Sequence, residues 1–227
     1  CNLTSITLAE GITSIGGGAF KCRELRSISV DANNPAYKDD NGVLFNKTGN
    51  ILIAYPAGKS GTRYTIPEGV TSIGDSAFSD CTSLASITLP DSVTSIGNDA
   101  FSGCTNLSSI TLPKGVTSIG YSAFFNCEKL ASIIIPESVM SIGNDAFTAC
   151  ENLTFITIPE NVTNIGENAF YSCRNLIVNT PAGSYAEKYA KKNGIKCSGE
   201  PGTAVTYNIA EVYRRQADCS QAPGRAR

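Results

Sequence analysis

The chain has 227 residues, 41% of them hydrophobic and 17% charged, which is typical of a soluble globular domain and not of a disordered chain. Its formal net charge of -2 gives no broad attraction to nucleic acid or to an anionic membrane surface, so neither is an expected partner. The sequence has no run of about 18 apolar residues, and its first residues lack the basic start and apolar core of a signal peptide, so membrane insertion of this segment is not expected.

A unit of 23 residues recurs along the chain with the pattern CxxLxxIxLPxxVxxIGxxAFxx. An early copy covers about residues 1–21, and another begins at Cys22, breaks off after Val30 and resumes near Tyr64. Since the chain opens inside a copy, we expect it to be a fragment or a processed product of a longer protein. The four uninterrupted copies begin at Cys81, Cys104, Cys127 and Cys150.

The apolar positions of the unit predict how successive copies pack. One coil of 23 residues cannot enclose its own apolar side chains, so neighbouring coils must stack. Leu and Ile alternate with small polar residues in segments such as SITL, which predicts a short strand in a parallel sheet. Proline then ends this strand because it lacks the amide that the ladder needs, and the glycine after the later Ile is expected to relax the next turn. Rows of like residues are therefore expected inside, for example Leu84, Leu107, Leu130 and Leu153.

A phenylalanine follows alanine near the end of each copy. Such a row could form an aromatic platform for a ligand, but its strict recurrence beside alanine favours an internal spine, since each ring has about 150–250 Å² to bury. We expect the spine to contain Phe20, Phe78, Phe101, Phe124, Phe147 and Phe170.

Residues 31–63 interrupt the repeat. Within them the apolar runs GVLF and ILIAY flank the polar segment NKTGN, a pattern typical of a β-hairpin. We therefore expect a β-hairpin insertion over about residues 31–63.

The repeat fades after Cys173. Ser184 and Glu187 have the spacing of a helix capping box and Gly194 suits a helix end, which predicts a capping helix over about residues 184–193 that covers the last core rows. The repeat domain is thus expected to span residues 1–198. Residues 199–227 begin with GEPG and contain four Arg and no Lys, so we expect a linker and an unassigned tail, either disordered or part of a truncated next domain.

The tandem LPxxVxxIGxxAFxxCxxLxxI resembles the BspA-like, Treponema-type leucine-rich repeats of surface proteins from host-associated bacteria and some mucosal protozoa. The resemblance covers about residues 1–198. It includes the interruption, where NPxYxxxxGVLFN spans residues 34–46 and YPAG spans residues 55–58. It implies an α/β repeat solenoid. The expected architecture is a right-handed leucine-rich-repeat coil with a parallel β-sheet, short strands or turns on the opposite side, the β-hairpin insertion and the C-terminal capping helix.

The resemblance also implies a function. Members of the family are described as adhesins or host-interaction proteins, so we expect a non-enzymatic protein-binding module of a secreted or cell-surface protein. Its partner would be a protein or glycoprotein ligand, such as one of the host extracellular matrix or cell surface, and its location extracellular or on the cell surface. The alternative is a structural spacer or stalk that presents an adjacent domain, because one fold serves many functions.

Cysteine recurs once per coil and predicts a column of thiols. Zinc sites need convergent ligands, commonly CxxC or histidine, and the sequence has neither, so no metal or other cofactor is expected. Side chains stacked in register on parallel coils stay farther apart than the ~3.8 Å that Cβ atoms prefer in a disulfide. We therefore expect reduced, buried thiols at Cys81, Cys104, Cys127, Cys150 and Cys173.

Candidates for catalysis are few. The absence of histidine excludes Ser-His-Asp and Cys-His arrangements, which leaves lysine-assisted or paired-carboxylate chemistry formally open. The best carboxylate pairs follow the strand-ending residue at an exposed turn, where no pocket is expected to desolvate them. We therefore expect that the chain is not an enzyme and has no catalytic residue. We expect solvated surface side chains at Glu68 with Asp91 and at Glu137 with Glu160.

Outward strand positions are hydroxylated in most coils, and departures from that pattern are candidate contacts. One outward row runs through serines and ends at Phe155, and the next holds Ile134 among threonines, so both apolar residues lie on adjacent coils of one sheet face. Single surface apolar residues are also common without a function. The hairpin is a further candidate contact. The binding residues predicted from these departures and from aromatic residues at turns are Phe155, Ile134, Ser132, Thr157, Tyr121, Phe125 and Tyr171.

Overall fold

The computed structural model describes residues 2–198, which form a parallel β-solenoid of about eight turns. The predicted solenoid with a C-terminal helix is confirmed. Each coil contributes a first strand from its LxxI segment, and the paired strands are parallel, with like residues of successive coils in register. With labels in chain order, these strands are β1 (Ser5–Leu8), β2 (Ser27–Val30), β6 (Arg63–Thr65), β8 (Ser86–Thr88), β10 (Ser109–Ile110), β12 (Ser132–Ile134), β14 (Phe155–Thr157) and β16 (Ile177–Asn179). A last strand, β17 (Lys196–Cys197), follows the helix and pairs with β16.

From Val70 onward, the VxxIG segment of each coil contributes a second, two-residue strand on another side of the solenoid. These strands pair in parallel in one continuous ladder, whereas the first strands form three separate sheets. They are β7 (Ser72–Ile73), β9 (Ser95–Ile96), β11 (Ser118–Ile119), β13 (Ser141–Ile142) and β15 (Asn164–Ile165).

The insertion folds as an antiparallel meander. The predicted hairpin corresponds to β4 (Val43–Asn46) and β5 (Ile51–Ala54), and a further strand that was not predicted, β3 (Tyr37–Asp40), pairs with β4. The insertion does not project from the solenoid, because β5 pairs in parallel with β7. The copy expected to be interrupted after Val30 therefore forms two successive coils, residues 22–57 and residues 58–80, and the insertion supplies the second strand of the first of them.

The glycine after the second strand has a different role from the one expected. Gly120 and Gly143 do not have a positive φ; instead, a Cβ on Gly120 would lie 2.5 Å from the carbonyl oxygen of Gly97 in the preceding coil. Real Cβ atoms do not come so close to backbone, so glycine allows the coils to approach each other. The left-handed backbone occurs at two other places in each uninterrupted coil, for example at Asp145 (φ 55°) and Ala149 (φ 61°).

The core contains a stack of aromatic rings. Phe101 and Phe124 have ring centroids 5.1 Å apart, and Phe124 and Phe147 lie 5.2 Å apart with planes only 3° from parallel. The stack starts at Tyr55, whose ring lies 5.4 Å from that of Phe78. The predicted membership of Phe20 is wrong: this ring is half-buried and packs against a separate small core. The insertion separates the two regions, which explains the difference. That core comprises Leu8, Cys22, Leu25, Ile28, Leu44 and Ala54.

The capping helix α1 spans Tyr185–Lys192. The Ser184 hydroxyl accepts a hydrogen bond from the Glu187 amide at 3.1 Å, and the Glu187 carboxylate accepts one from the Gly183 amide at 2.8 Å. This is a variant of the capping box, in which two amides at the start of the helix gain partners. Tyr189 closes the aromatic stack, with its ring edge-on to Phe170 at 6.0 Å. The linker and tail expected at residues 199–227 lie outside the described residues.

Candidate binding surface

Three strands at the C-terminal end of the solenoid carry an apolar cluster on their outer face. Strands β12, β14 and β16 pair in parallel, and Phe155 on β14 lies directly between Ser132 on β12 and Ile177 on β16. Ile134 lies one strand and two positions from Phe155, opposite Thr157. Since neighbouring strands are about 5 Å apart, these side chains can share one surface. We call Ile134, Phe155 and Ile177 the apolar sheet patch.

The patch is partly accessible. Ile134, Phe155 and Ile177 are all half-buried, whereas Ile133 and Ile156 between them face inward and are fully buried. Alternation along each strand therefore places one set of apolar residues in the core and leaves the other on the surface. Ser132 and Thr157, the other two sheet residues among the predicted contacts, are half-buried beside the patch.

Ile177 was missed from the sequence because its coil is one residue short. Phe155 follows Leu153 by two positions, whereas Ile177 follows the equivalent leucine, Leu176, directly. Reading the fixed repeat therefore places Ile177 out of step, and only the pairing of β14 with β16 shows that it continues the outward row. The same row also contains two cationic residues that were not predicted, Arg63 on β6 and Lys196 on β17.

The aromatic residues predicted at turns lie on another side of the solenoid. Tyr121 and Phe125 follow β11 within one coil, and Tyr171 follows β15 two coils further on. Their exposed fractions are 50%, 38% and 66%. The structure therefore does not bring these residues onto the face that carries the apolar sheet patch. Met140, which is 57% exposed in place of a threonine, is a further apolar departure that was missed.

Tyr121 also breaks a ladder of side-chain hydrogen bonds between coils. The Asp75 carboxylate accepts from the Asn98 amide at 2.7 Å, and the Asn98 side chain accepts from the Tyr121 amide at 2.9 Å. Tyrosine offers no comparable short acceptor to the next coil, and the pattern resumes only where the Asn144 side chain accepts from the Glu167 amide at 3.1 Å. Tyr121 therefore replaces a residue that would link the coils.

The cysteine column is buried and engaged with the backbone. The Cys127 thiol donates to the carbonyl of Phe101 at 3.2 Å and the Cys150 thiol to that of Phe124 at 3.1 Å, in each case three residues before the cysteine of the preceding coil. Burial raises the pKa of the Cys173 thiol to about 11 and raises the pKa of Cys127 and Cys150 as well. At neutral pH these groups are protonated and are poor nucleophiles and metal ligands. Their contacts support a structural role.

The carboxylate pairs considered as candidates for catalysis lie at the surface. Glu68, Asp91, Glu137 and Glu160 are all exposed, so solvent surrounds each of them. Within residues 2–198 no group of three or more His, Cys, Asp or Glu side chains is placed to hold a metal ion. A helix long and apolar enough to cross a membrane is likewise absent from that range.

Stacked coils with two short parallel strands, a leucine row and an aromatic spine define a leucine-rich-repeat solenoid, a class whose extended surfaces are used for protein interactions. The model of the BspA type leucine rich repeat region matches residues 1–51 and 56–177, in six copies. The chain belongs to this family, as the resemblance in its sequence predicted. No curated protein matches the chain significantly.

Solved structures of bacterial proteins share the fold. A leucine rich cell surface protein from Faecalibacterium prausnitzii is 37% identical, with a TM-score of 0.75, over 88% of this chain and 52% of that one. A leucine rich repeat protein of T. pallidum is 30% identical, with a TM-score of 0.58, over 77% of this chain and 89% of that one. The pneumococcal vaccine antigen PcpA is 21% identical, with a TM-score of 0.75, over 87% of this chain and 56% of that one, and shows the fold alone. The chain spans about half the length of the first and third of these proteins.

Proposed function

We propose that the chain is a non-enzymatic protein-binding module of a secreted or cell-surface protein and that the apolar sheet patch is its main contact. The observation that supports this most is the register of β12, β14 and β16, which gathers Ile134, Phe155 and Ile177 on a face that carries hydroxyl groups in most other coils. Exposed apolar clusters with a polar rim are typical of protein interaction sites. An aromatic residue at the centre of such a cluster often provides much of the binding energy.

The proposed partner is a protein or glycoprotein of the host extracellular matrix or cell surface, and the proposed role is adhesion. The similarity to a protein described as a leucine rich cell surface protein supports a surface location. The sequence predicted two contact surfaces, the outer sheet face and the insertion, and the insertion is the weaker candidate. Its residues Val43, Leu44 and Phe45 are buried, so the middle of the hairpin contributes to the core and leaves little apolar surface for a partner.

The proposal is tested with the double variant Phe155→Ser and Ile134→Thr, which restores the hydroxyl side chains of the neighbouring coils. Binding of the purified chain to a panel of immobilised extracellular matrix proteins is measured by surface plasmon resonance. We expect saturable binding of the natural chain and at least about tenfold weaker binding of the variant, as for loss of an interface anchor. Because the side chains are half-buried, unfolding by urea should show a loss of about 1 kcal/mol or less.

The matched control is the pair Ser109→Ala and Thr111→Ala, which alters the same two outward repeat positions on β10 and directly after it, outside the patch. This control should bind as the natural chain does. Equal binding by the patch variant would remove the patch as the contact. If the natural chain bound no matrix protein or host-cell extract, and only its length affected display of an adjacent domain, the structural spacer would be the better explanation.

A further inference from the structure

From Ser76 onward, backbone amides at three alternate positions join each coil to the next. In the coil that starts at Cys127, the amide of Asp145 donates to the carbonyl of Glu167 at 2.9 Å, and that of Phe147 donates to Ala169 at 2.8 Å. The Ala149 amide completes the row with a bond to a third carbonyl, that of Tyr171, at 2.9 Å. All three carbonyls belong to the following coil. These amides therefore act as a row that binds an adjacent peptide backbone.

The equivalent row in the last complete coil has no following coil to bind. Its members are the amides of Asn168, Phe170 and Ser172, and within residues 2–198 none of the three donates to a protein acceptor. The capping helix replaces the missing coil only in part, since the Tyr189 hydroxyl accepts from the intervening amide of Ala169 at 3.2 Å. The helix thus covers the end of the core but leaves this donor row open.

A groove of about 400 Å³ lies beside the open row, between the last coil and the segment that follows α1. Asn168, Phe170 and Ser172 all line it. Arg174 and Lys196 line it as well, both are exposed, and no carboxylate is among the lining residues. The chain as a whole has a net charge of -2, so a groove with two cations and no anion is a local exception.

We propose that this groove binds an acidic peptide segment of a partner protein. Backbone carbonyls of the peptide accept hydrogen bonds from Asn168, Phe170 and Ser172, as carbonyls of the next coil do elsewhere in the solenoid. Acidic side chains of the peptide pair with Arg174 and Lys196. Donors at alternate residues match a peptide backbone that presents carbonyls at alternate positions, as residues 167–171 do for the preceding coil, better than a single small anion. The groove shares Ile177 with the apolar sheet patch, but peptide binding there does not depend on the function proposed for that patch.

The first measurement is amide hydrogen exchange of the full chain, followed by NMR. With no peptide added, the amides of Asn168, Phe170 and Ser172 should exchange at least about 100-fold faster than their equivalents in the preceding coil, Asp145, Phe147 and Ala149. Equal protection of the two rows in the free chain would show that the row is already occupied, and would overturn the proposal.

The second measurement is a titration with the synthetic peptide acetyl-DGSGD-amide, whose small central residues suit a groove where Tyr189 covers one face of Phe170. We expect saturable shifts and slower exchange at Asn168, Phe170 and Ser172, with little change in the preceding row. The neutral peptide acetyl-NGSGN-amide should bind at least about tenfold more weakly, because it cannot form the two ion pairs.

The double variant Arg174→Gln and Lys196→Gln should also weaken binding of the acidic peptide at least about tenfold. The control Lys114→Gln removes an exposed cation far from the groove and should leave the affinity unchanged. The groove proposal is overturned by unchanged affinity in the double variant. It is also overturned if a sulfated disaccharide shifts all three amides as strongly as the peptide, because the site would then be an anion or glycan site. Peptide binding in the Phe155→Ser and Ile134→Thr variant should be normal, which separates failure of this proposal from failure of the patch.

Discussion

The uninterrupted coils and the N-terminal coils are built from the same repeat but differ in how well they bury it. In the coils from Cys81 onward, the alanine and phenylalanine at the end of each unit are buried, and each ring lies between the rings of two neighbours. In the first coil, Ala19 is exposed and Phe20 is half-buried, although the local sequence is almost the same. Burial in a solenoid therefore depends on the neighbours of a coil as much as on its own residues.

The insertion shows what a neighbour must provide. In the interrupted coil, Tyr55 takes the place of phenylalanine in the aromatic stack, and β5 takes the place of the second strand. Gly58 takes the place of cysteine, since it precedes Cys81 by one repeat. A Cβ on Gly58 would lie 2.7 Å from the carbonyl oxygen of Arg23, so the coil here is too close to its neighbour for any side chain. The stack can continue with different residues if their positions are kept.

The largest effect that tests this comparison is expected from Phe124→Ala. The ring is fully buried between two parallel neighbours, so its removal leaves a cavity and should cost about 3–5 kcal/mol in the free energy of unfolding. The same change at Phe20, which is half-buried, should cost about 1 kcal/mol. Urea unfolding followed by circular dichroism measures both. Equal losses would mean that the first coil is packed as well as the inner coils, and would contradict the difference in burial between the two regions.

A smaller effect is expected at the glycine that follows the second strand. In Gly143→Ala the added Cβ would lie 2.6 Å from backbone atoms of the preceding coil, and overpacking of this kind typically costs about 1–3 kcal/mol. Gly16 has the same repeat position in the first coil, and a Cβ there would meet nothing within 4 Å. Gly16→Ala should therefore change stability by less than about 0.5 kcal/mol. A comparable loss in both variants would show that the glycine serves the conformation of its own turn and not the approach of coils.

Much of the fold follows from the sequence because the repeat is periodic. The inward leucines, the first strands, the hairpin and the capping helix each have a local signal, and identical neighbours make the stacking of the inner coils unambiguous. Phe20 was assigned wrongly because its sequence matches the repeat and only the position of the insertion, which is a tertiary feature, separates it from the stack. Such information is not contained in the pattern of a single coil.

Less of the candidate site than of the fold could be predicted from the sequence. Ile134 and Phe155 stand out because they replace hydroxyl residues at fixed positions, whereas Ile177 is hidden by a one-residue shortening that only strand register resolves. The groove beside Asn168 could not be predicted at all. It depends on how far the capping helix covers the last coil, and the open amides belong to the backbone, which carries no sequence signature.

The smallest effect is expected within the uninterrupted coils, at the residue that precedes each cysteine. Ala149 has φ 61° there, a left-handed conformation that costs a residue with a Cβ about 1–2 kcal/mol, whereas Gly103 has φ 74° at the same position two coils earlier. Ala149→Gly should therefore stabilise the chain by about 0.5–1 kcal/mol, because relief of the strain exceeds the added freedom of the unfolded chain. Gly103→Ala should destabilise it by about 1 kcal/mol or more, since its Cβ would also lie 2.7 Å from the Asp80 carboxylate. Urea unfolding measures the change in the free energy of unfolding for both variants. Changes of the same sign would show that contacts with neighbouring coils, and not the backbone conformation at this position, determine the effect of the substitution.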